Sequence, residues 1–353
     1  MAERATFVAS LTSPGKAAVA TLAVRGPLAW PATRSVFRPR HGNLPDSLSV
    51  GETWLGQLGD DARDDVIVVV KRDAPQVWLE IHCHGGPEVV RLIEELYARH
   101  GVQVCSWQEL ERQSSEPAWR VAVQEWLVQA PTARTAAILL DQYHGAFQRA
   151  IQDIEDRGQL DRLAQLVPLG RHLVQPWSVV VAGAPNVGKS ALVNALAGYT
   201  RSIVAPTAGT TRDVVKTILA IDGWPVELSD TAGFRAPKGA IEEEGIARAR
   251  VAAASADLCL WLLDGSMQPI TPESDGVTWR IVINKVDLAP AWDWPRFPDA
   301  IRVSAQTKAG LGELCDAISR WLVPHPPSAG EAVPVSPAAC DEVLRLQARS
   351  GVT

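Results

Sequence analysis

The stretch VVVAGAPNVGKSALVNAL, Val179 to Leu196, constrains this chain more than any other. An apolar run is followed by a glycine-bounded loop, a lysine and serine, and then apolar residues at helical spacing. That order is a strand, a tight loop and a helix. Gly183 to Ser190 fits G-x-x-x-x-G-K-[ST]. Its glycines let backbone N–H groups approach phosphates. Lys189 neutralises charge on the β and γ groups, and the Ser190 hydroxyl can ligate Mg²⁺ at the helix N-terminus. A plain glycine-rich turn would account for the glycines but not for the Lys-Ser pair. Around this loop, from Trp177 to about Val323, strands and helices alternate, the pattern of a mostly parallel sheet. Strands are expected at Ser178–Ala182, Val214–Ile221, Pro225–Leu228, Asp257–Leu263, Arg280–Ile283 and Ile301–Val303. Two crossovers, DGSMQPITPESDGVTW and LAPAWDWPRFPDA, leave little room for a helix.

Three further motifs lie at strand ends in this region. SDTAG, Ser229 to Gly233, offers Asp230 to hold Mg²⁺ through water and the Gly233 N–H to reach a γ-phosphate. In INKVD, Asp287 presents two acceptor oxygens to the N1 and N2 donor edge of guanine, while Lys285 can pack over the base. Adenine has no such donor pair, so the nucleotide is GTP or GDP. In VSAQT the backbone of Ser304 and Ala305 can contact the guanine oxygen. Between the first two motifs, IVAPTAGTTRDVV carries Thr211, the natural sensor of Mg²⁺ and γ-phosphate. The expected GTP-binding set is Asn186, Val187, Gly188, Lys189, Ser190, Ala191, Thr207, Thr210, Thr211, Asp230, Gly233, Asn284, Lys285, Asp287, Ser304 and Ala305. Mg²⁺ would lie on Ser190, Thr211 and Asp230.

The rest of the chain divides by pattern. Up to about residue 107, strand-like runs (TFVASL, AAVATLAVRG, DDVIVVVKR, QVWLEIHCHGG) and the helical PEVVRLIEELYARHG suggest an α+β domain. From 108 to 175 the strand signals vanish. EPAWRVAVQEWLVQA, ARTAAILLDQYHGAFQRAIQDIEDRG and LDRLAQLVPLGRHLV suggest three helices. The GTPase domain would span 176–324, followed over 325–353 by a Pro-rich linker and a short helix. The fold class is therefore an α/β P-loop GTPase domain combined with an N-terminal α+β domain and a helical segment. Five scattered cysteines without a C-x-x-C pair read as reduced thiols. No apolar run is long enough for a membrane span, and MAERATFVASLTSPG lacks the plan of a signal peptide. A cytoplasmic protein is expected, with no membrane. The net charge of -6 argues against non-specific binding to polyanions. The 13 tryptophans point to packing roles. In HCH, His82 and His84 face one side of a strand and Cys83 the other, so the three do not converge on a metal.

Beyond the GTPase motifs, FVASLTSPGKAAVATLAVRGPLA and EIHCHGGPEVV resemble the N-terminal segments of the tRNA-modifying GTPases called MnmE or TrmE. The resemblance covers Thr6 to about Leu96 weakly and Trp177 to Leu322 well. It implies hydrolysis activated by K⁺ and by pairing of two GTPase domains, hence a homodimer, with the K⁺ held by Asn186 and Thr210. It implies that Glu242, twelve residues beyond Asp230, orients the attacking water, making Glu242 and Lys189 the catalytic pair. It further implies action on tRNA wobble uridine with a flavin-dependent MnmG-type partner, and a tetrahydrofolate derivative in the N-terminal domain. Of the folate positions, Glu80 matches, an Arg is replaced by Ala23, and two lysines have no counterpart. The family's F-T-x-R-A-F-L-N-x-K-L-D-L segment is replaced by WQELERQSSEPAWRVAVQEW. The chain ends LQARSGVT where the family has Cys-Ile-Gly-Lys. These departures point away from folate binding, and they keep open a second expectation: a diverged GTP-regulated switch or assembly module without modification chemistry. The helical segment, with seven Arg or Lys against nine Asp or Glu, offers no evident RNA footprint.

Overall fold

The computed structural model describes residues 5–60, 62–113, 118–154, 156–202, 217–230, 255–272 and 276–350. These residues fall into two compact units that divide after Val121.

The first unit is built on β1 (Phe7–Ser10), β2 (Val19–Arg25), α1 (Ala29–Val36), β3 (Phe37–Pro39), β4 (Thr53–Leu58), β5 (Asp64–Arg72), β6 (Trp78–His84), α2 (Pro87–Arg99), β7 (Gln103–Val104) and α3 (Trp107–Arg112). The sheet runs β3-β4-β5-β6-β2-β1-β7. Alternation along β5 puts Val66, Val68 and Val70 into a core with Leu79 and Ile81 of β6, Trp30 of α1, and Ile93, Leu96 and Tyr97 of α2. The strand runs and α2 lie where periodicity placed them. α1, β3, β4 and β7 carried no usable signal; the edge strands β3 and β7, of three and two residues, have too few alternations to read. α3 opens on a capping box, with Ser106 accepting from the Glu109 N–H and Glu109 from the Ser106 N–H. Its Leu110 packs with Ala9 and Ala23. Along β6, His82 and His84 face one side of the strand and Cys83 lies buried on the other.

The boundary falls within α4 (Ala118–Leu127), and the helical part of the second unit continues with α5 (Ala133–Tyr143), α6 (Ala146–Gln152) and α7 (Arg157–His172). The sequence suggested one continuous helix for α5 and α6. The structure breaks it at Gly145, whose φ of 88 ends one helix and opens the next. The sheet follows, with β8 (Trp177–Gly183), α8 (Lys189–Tyr199), β9 (Arg201–Ser202), β10 (Thr217–Ile221), β11 (Trp224–Asp230), β12 (Leu258–Asp264), β13 (Trp279–Asn284), β14 (Ile301–Arg302) and α9 (Leu311–Leu322). Its order is β14-β13-β12-β8-β11-β10-β9, parallel from β14 to β11 and antiparallel at β10 and β9. β12 is buried at every position, as a central parallel strand must be. Among the described residues, the short crossover after β13 holds only a 3-10 turn, Trp294–Arg296.

Two contacts tie the helical part to this sheet. The Thr132 hydroxyl, which caps α5, donates to the Gly223 carbonyl at 2.6 Å, and the Arg134 guanidinium donates to the Asp222 carbonyl at 2.6 Å. Asp222 and Gly223 form the two-residue turn between β10 and β11, both at positive φ. At the other end of α7, the buried His172 ring stacks on Trp177 with centroids 3.6 Å apart. The final helix α10 (Pro337–Ser350) packs on α7 through Ala339, Val343 and Leu160. The chain leading into it is held by the buried Gln142, which donates to Glu331 O and accepts from Val333 N.

Candidate guanine-nucleotide site

The site grows from the C-terminal ends of β8, β12 and β13. β8 terminates at Gly183, where a Cβ would meet the Leu262 carbonyl of the neighbouring strand. Asn186 adopts φ 62 in the loop, and Gly188, at φ 98, caps α8. The helix begins with Lys189. Its ammonium donates to the carbonyls of Gly183 at 3.0 Å and Ala184 at 2.9 Å, which fixes the cation of the motif against the loop. Ser190 and Ala191 are exposed on the first turn, and Asn186 is exposed in the loop, while Val187 is buried beneath it.

Asn284, at the end of β13, is almost fully buried. Its amide nitrogen donates to the Val187 carbonyl at 2.9 Å, and its amide oxygen accepts from the Ala305 N–H at 3.0 Å. One side chain thus joins the phosphate loop to the VSAQT loop. A Cβ on Gly188 would strike this same amide, so that glycine is required by packing as well as by access to phosphate. Lys285, at φ 65, extends its ammonium to the Asn186 carbonyl at 2.8 Å and to Asp264 Oδ2 at 2.6 Å. Asp287 follows, exposed. Ser304 is buried; its hydroxyl accepts from the Thr307 N–H at 3.0 Å, and its own N–H donates to Ala309 O.

Asp264 is the residue that sequence reasoning missed. It is 5 % exposed, and it accepts from the Ser266 N–H at 2.8 Å and hydroxyl at 2.7 Å besides Lys285. Burial pushes its carboxyl up, but the bonds from Lys285 and Ser266 outweigh this and hold it below the usual carboxylate range. The available signal was an acid closing an otherwise apolar strand, LCLWLLD.

β11 ends at Asp230, in parallel register with Val181 of β8, so this residue reaches the same edge of the sheet as the phosphate loop. Thr207, Thr210, Thr211, Gly233 and Glu242 lie outside the described residues. Glu80 belongs to the first unit. Its carboxylate stands 3.6 Å from both Lys71 Nζ and His82 Nε2. Directly across the ladder from it, Ala23 is fully buried and clustered with Leu110. With the opposing position capped by a leucine and the acid already flanked by two basic groups, these residues do not fit a folate.

A strand-loop-helix phosphate cradle, bonded through Asn284 and Lys285 to a guanine-type loop on a mostly parallel sheet, defines a P-loop GTPase. Residues 178–285 match the family model described as 50S ribosome-binding GTPase. The chain is 31% identical over 368 residues to the tRNA modification GTPase MnmE of Synechococcus sp. (strain WH7803), covering 88% of this chain and 79% of that protein. It is 32% identical over 367 residues to the MnmE of Alkalilimnicola ehrlichii, covering 89% and 81%. A solved structure of Era from Aquifex aeolicus bound to GDP and aluminium fluoride is 29% identical over 43% of this chain and 57% of that one, with a TM-score of 0.30. The chain belongs to the tRNA modification GTPase MnmE family, and it hydrolyses GTP. Among the described residues no helix is long and apolar enough to cross a membrane.

Proposed function

We propose that this protein is a K⁺-dependent GTPase, activated by pairing with a second copy, that serves the modification of wobble uridine in tRNA together with a flavin-dependent MnmG-type partner. The observation that carries the nucleotide part is the joint made by Asn284 and Lys285, which bond to the carbonyls of Val187 and Asn186. Guanine held by Asp287 would then be placed in fixed register with phosphates on the loop. With its ammonium anchored, Lys285 leaves its aliphatic stem to cover the base.

The donor set suits the ions this reading requires. Ser190 is exposed at a helix N-terminus, and with Thr211 and Asp230 it would hold Mg²⁺. Asn186 is exposed in the loop, and with Thr210 it would hold K⁺. When bound, the two ions supply positive charge against that building between the β and γ phosphates. Lys189 adds a third cation from the loop, and Glu242 orients the attacking water. On this reading the protein works in the cytoplasm on tRNA.

GTP turnover in K⁺ and in Na⁺ tests the mechanism. Turnover should rise at least about tenfold in K⁺ and become steeper than first order in protein concentration. Equal rates in the two salts would remove the potassium mechanism. Restoring the modified wobble nucleoside in a strain that lacks its own family enzyme tests the biological role, and failure with expressed, GTP-hydrolysing protein would remove it.

A further inference from the structure

We propose that Trp292 and Trp294 are positioning residues for guanine recognition, clamping the strand end that holds Lys285; this rests on the reading that Asn284 to Asp287 take the base. The Trp292 indole N–H donates to the Asp264 carbonyl at 2.9 Å, and that of Trp294 donates to the Gly265 carbonyl at 3.1 Å. Both carbonyls lie where β12 leaves the ladder. The Gly265 N–H in turn donates to Asn284 O at 2.8 Å, and the Ala291 N–H to Gly265 O at 3.0 Å. Gly265 is packed closely, since a Cβ there would lie 2.9 Å from the Trp294 ring and 3.1 Å from Asn284 O.

The clamp matters because of what Asp264 does on its other side. Its carboxylate receives Lys285, whose backbone sits in the left-handed region at φ 65. That conformation costs a lysine roughly 1–2 kcal/mol and persists only where surrounding bonds impose it. The described crossover after β13, which carries both indoles, has only a 3-10 turn. The indoles bond the end of β12 instead. Trp292 is anchored edge-on by Phe297 at 5.8 Å, in a cluster with Ala182, Trp261 and Leu263. Thus Trp292 and Trp294 fix Asp264 and Gly265, these fix Lys285 and Asn284, and the latter pair fixes the loop that carries Asp287.

The test uses the full-length protein with Trp292 and Trp294 both changed to phenylalanine, which keeps a ring and removes the two donors. GDP and IDP affinities are measured by calorimetry, IDP lacking the 2-amino group that Asp287 would bind. The preference for GDP over IDP should fall about three- to tenfold, while kcat at saturating GTP stays within about twofold. Asp264→Asn, which leaves both indoles in place, should lower the same preference. An unchanged preference in the folded double variant overturns the proposal. So does an equal loss for both nucleotides accompanied by a fall in kcat, which would mark a role in stability alone. Asp287→Asn in the otherwise unaltered protein should exchange GDP for XDP binding. If it does not, the reading of the guanine loop fails, whatever the tryptophan variants do.

Discussion

The Asn284 side chain reaches across from the end of β13 to the Val187 carbonyl, a 2.9 Å bond between residues 97 positions apart in the chain. Gly188, the next residue, must lack a side chain for that bond to exist. A motif usually explained by its phosphates is therefore also shaped by packing against Asn284 at the end of β13. Gly188→Ala would impose a non-glycine left-handed residue, costing about 1–2 kcal/mol, and would push Asn284 off its acceptor. GDP affinity should fall at least about tenfold, measured by calorimetry, with a lowered Tm. Unaltered affinity would show that the loop tolerates a shift here.

On the proposed role of Glu242, Glu242→Ala is expected to separate binding from chemistry. GDP and GTP affinity should stay within about twofold while kcat drops at least about a hundredfold, as expected for a residue that acts only on the attacking water. Normal hydrolysis by this variant would pass the role to another group.

The turn between β10 and β11 is held from outside the sheet. Arg134 Nη1 lies 2.6 Å from Asp222 O and 2.7 Å from its carboxylate, with the guanidinium 4.3 Å from the Trp224 ring centroid. Because both charged partners are partly exposed, the ion pair itself contributes little, and the bonds to backbone carbonyls matter more. Thr132→Val removes both the α5 cap and the donor to Gly223. It should cost about 1–2 kcal/mol in urea unfolding, against about 1 kcal/mol or less for Arg134→Met. The reverse ranking would assign the joint to charge.

His172 should make stability fall on the acid side. Burial is the chief cause that lowers its pKa, with Arg171 adding to it, while Asp257 and the backbone carbonyls of Gln175 and Pro176 oppose. A folded-state value below the ordinary 6.5 means the ring is neutral in the native protein and charges more readily when unfolded. Its contribution is whole above about pH 6.5 and is lost as pH falls toward the folded value. Tm followed from pH 8 to pH 5 should decline, and His172→Phe, which can keep the stack on Trp177, should flatten that decline. Parallel curves would place the acid sensitivity elsewhere.

Gln142 is fully buried and bonds to three backbone groups, those of Ile138, Glu331 and Val333. Gln142→Leu leaves the last two unpaired, at about 1–3 kcal/mol each. Urea unfolding should register at least about 2 kcal/mol, with GTP turnover per folded molecule unchanged.

The sequence by itself determined the nucleotide and most of the sheet around it. GAPNVGKS, INKVD and VSAQT carry their chemistry in residue type and spacing, and strands such as LCLWLLD are long enough for burial to show as an unbroken apolar run. The α5–α6 break at Gly145 was less legible, because apolar spacing continues across it and only a positive φ marks the bend. Asp264 showed only as an acid closing an apolar strand, and Trp292 and Trp294 could not be read at all. Their meaning lies in which carbonyl or ammonium they meet, and those partners come from other strands and loops. Local pattern specifies an element because its driving force is periodic burial. A hydrogen bond between elements has no such period, so only the tertiary structure decided that Asp264 would meet the Lys285 ammonium and that two indoles would meet the carbonyls of Asp264 and Gly265.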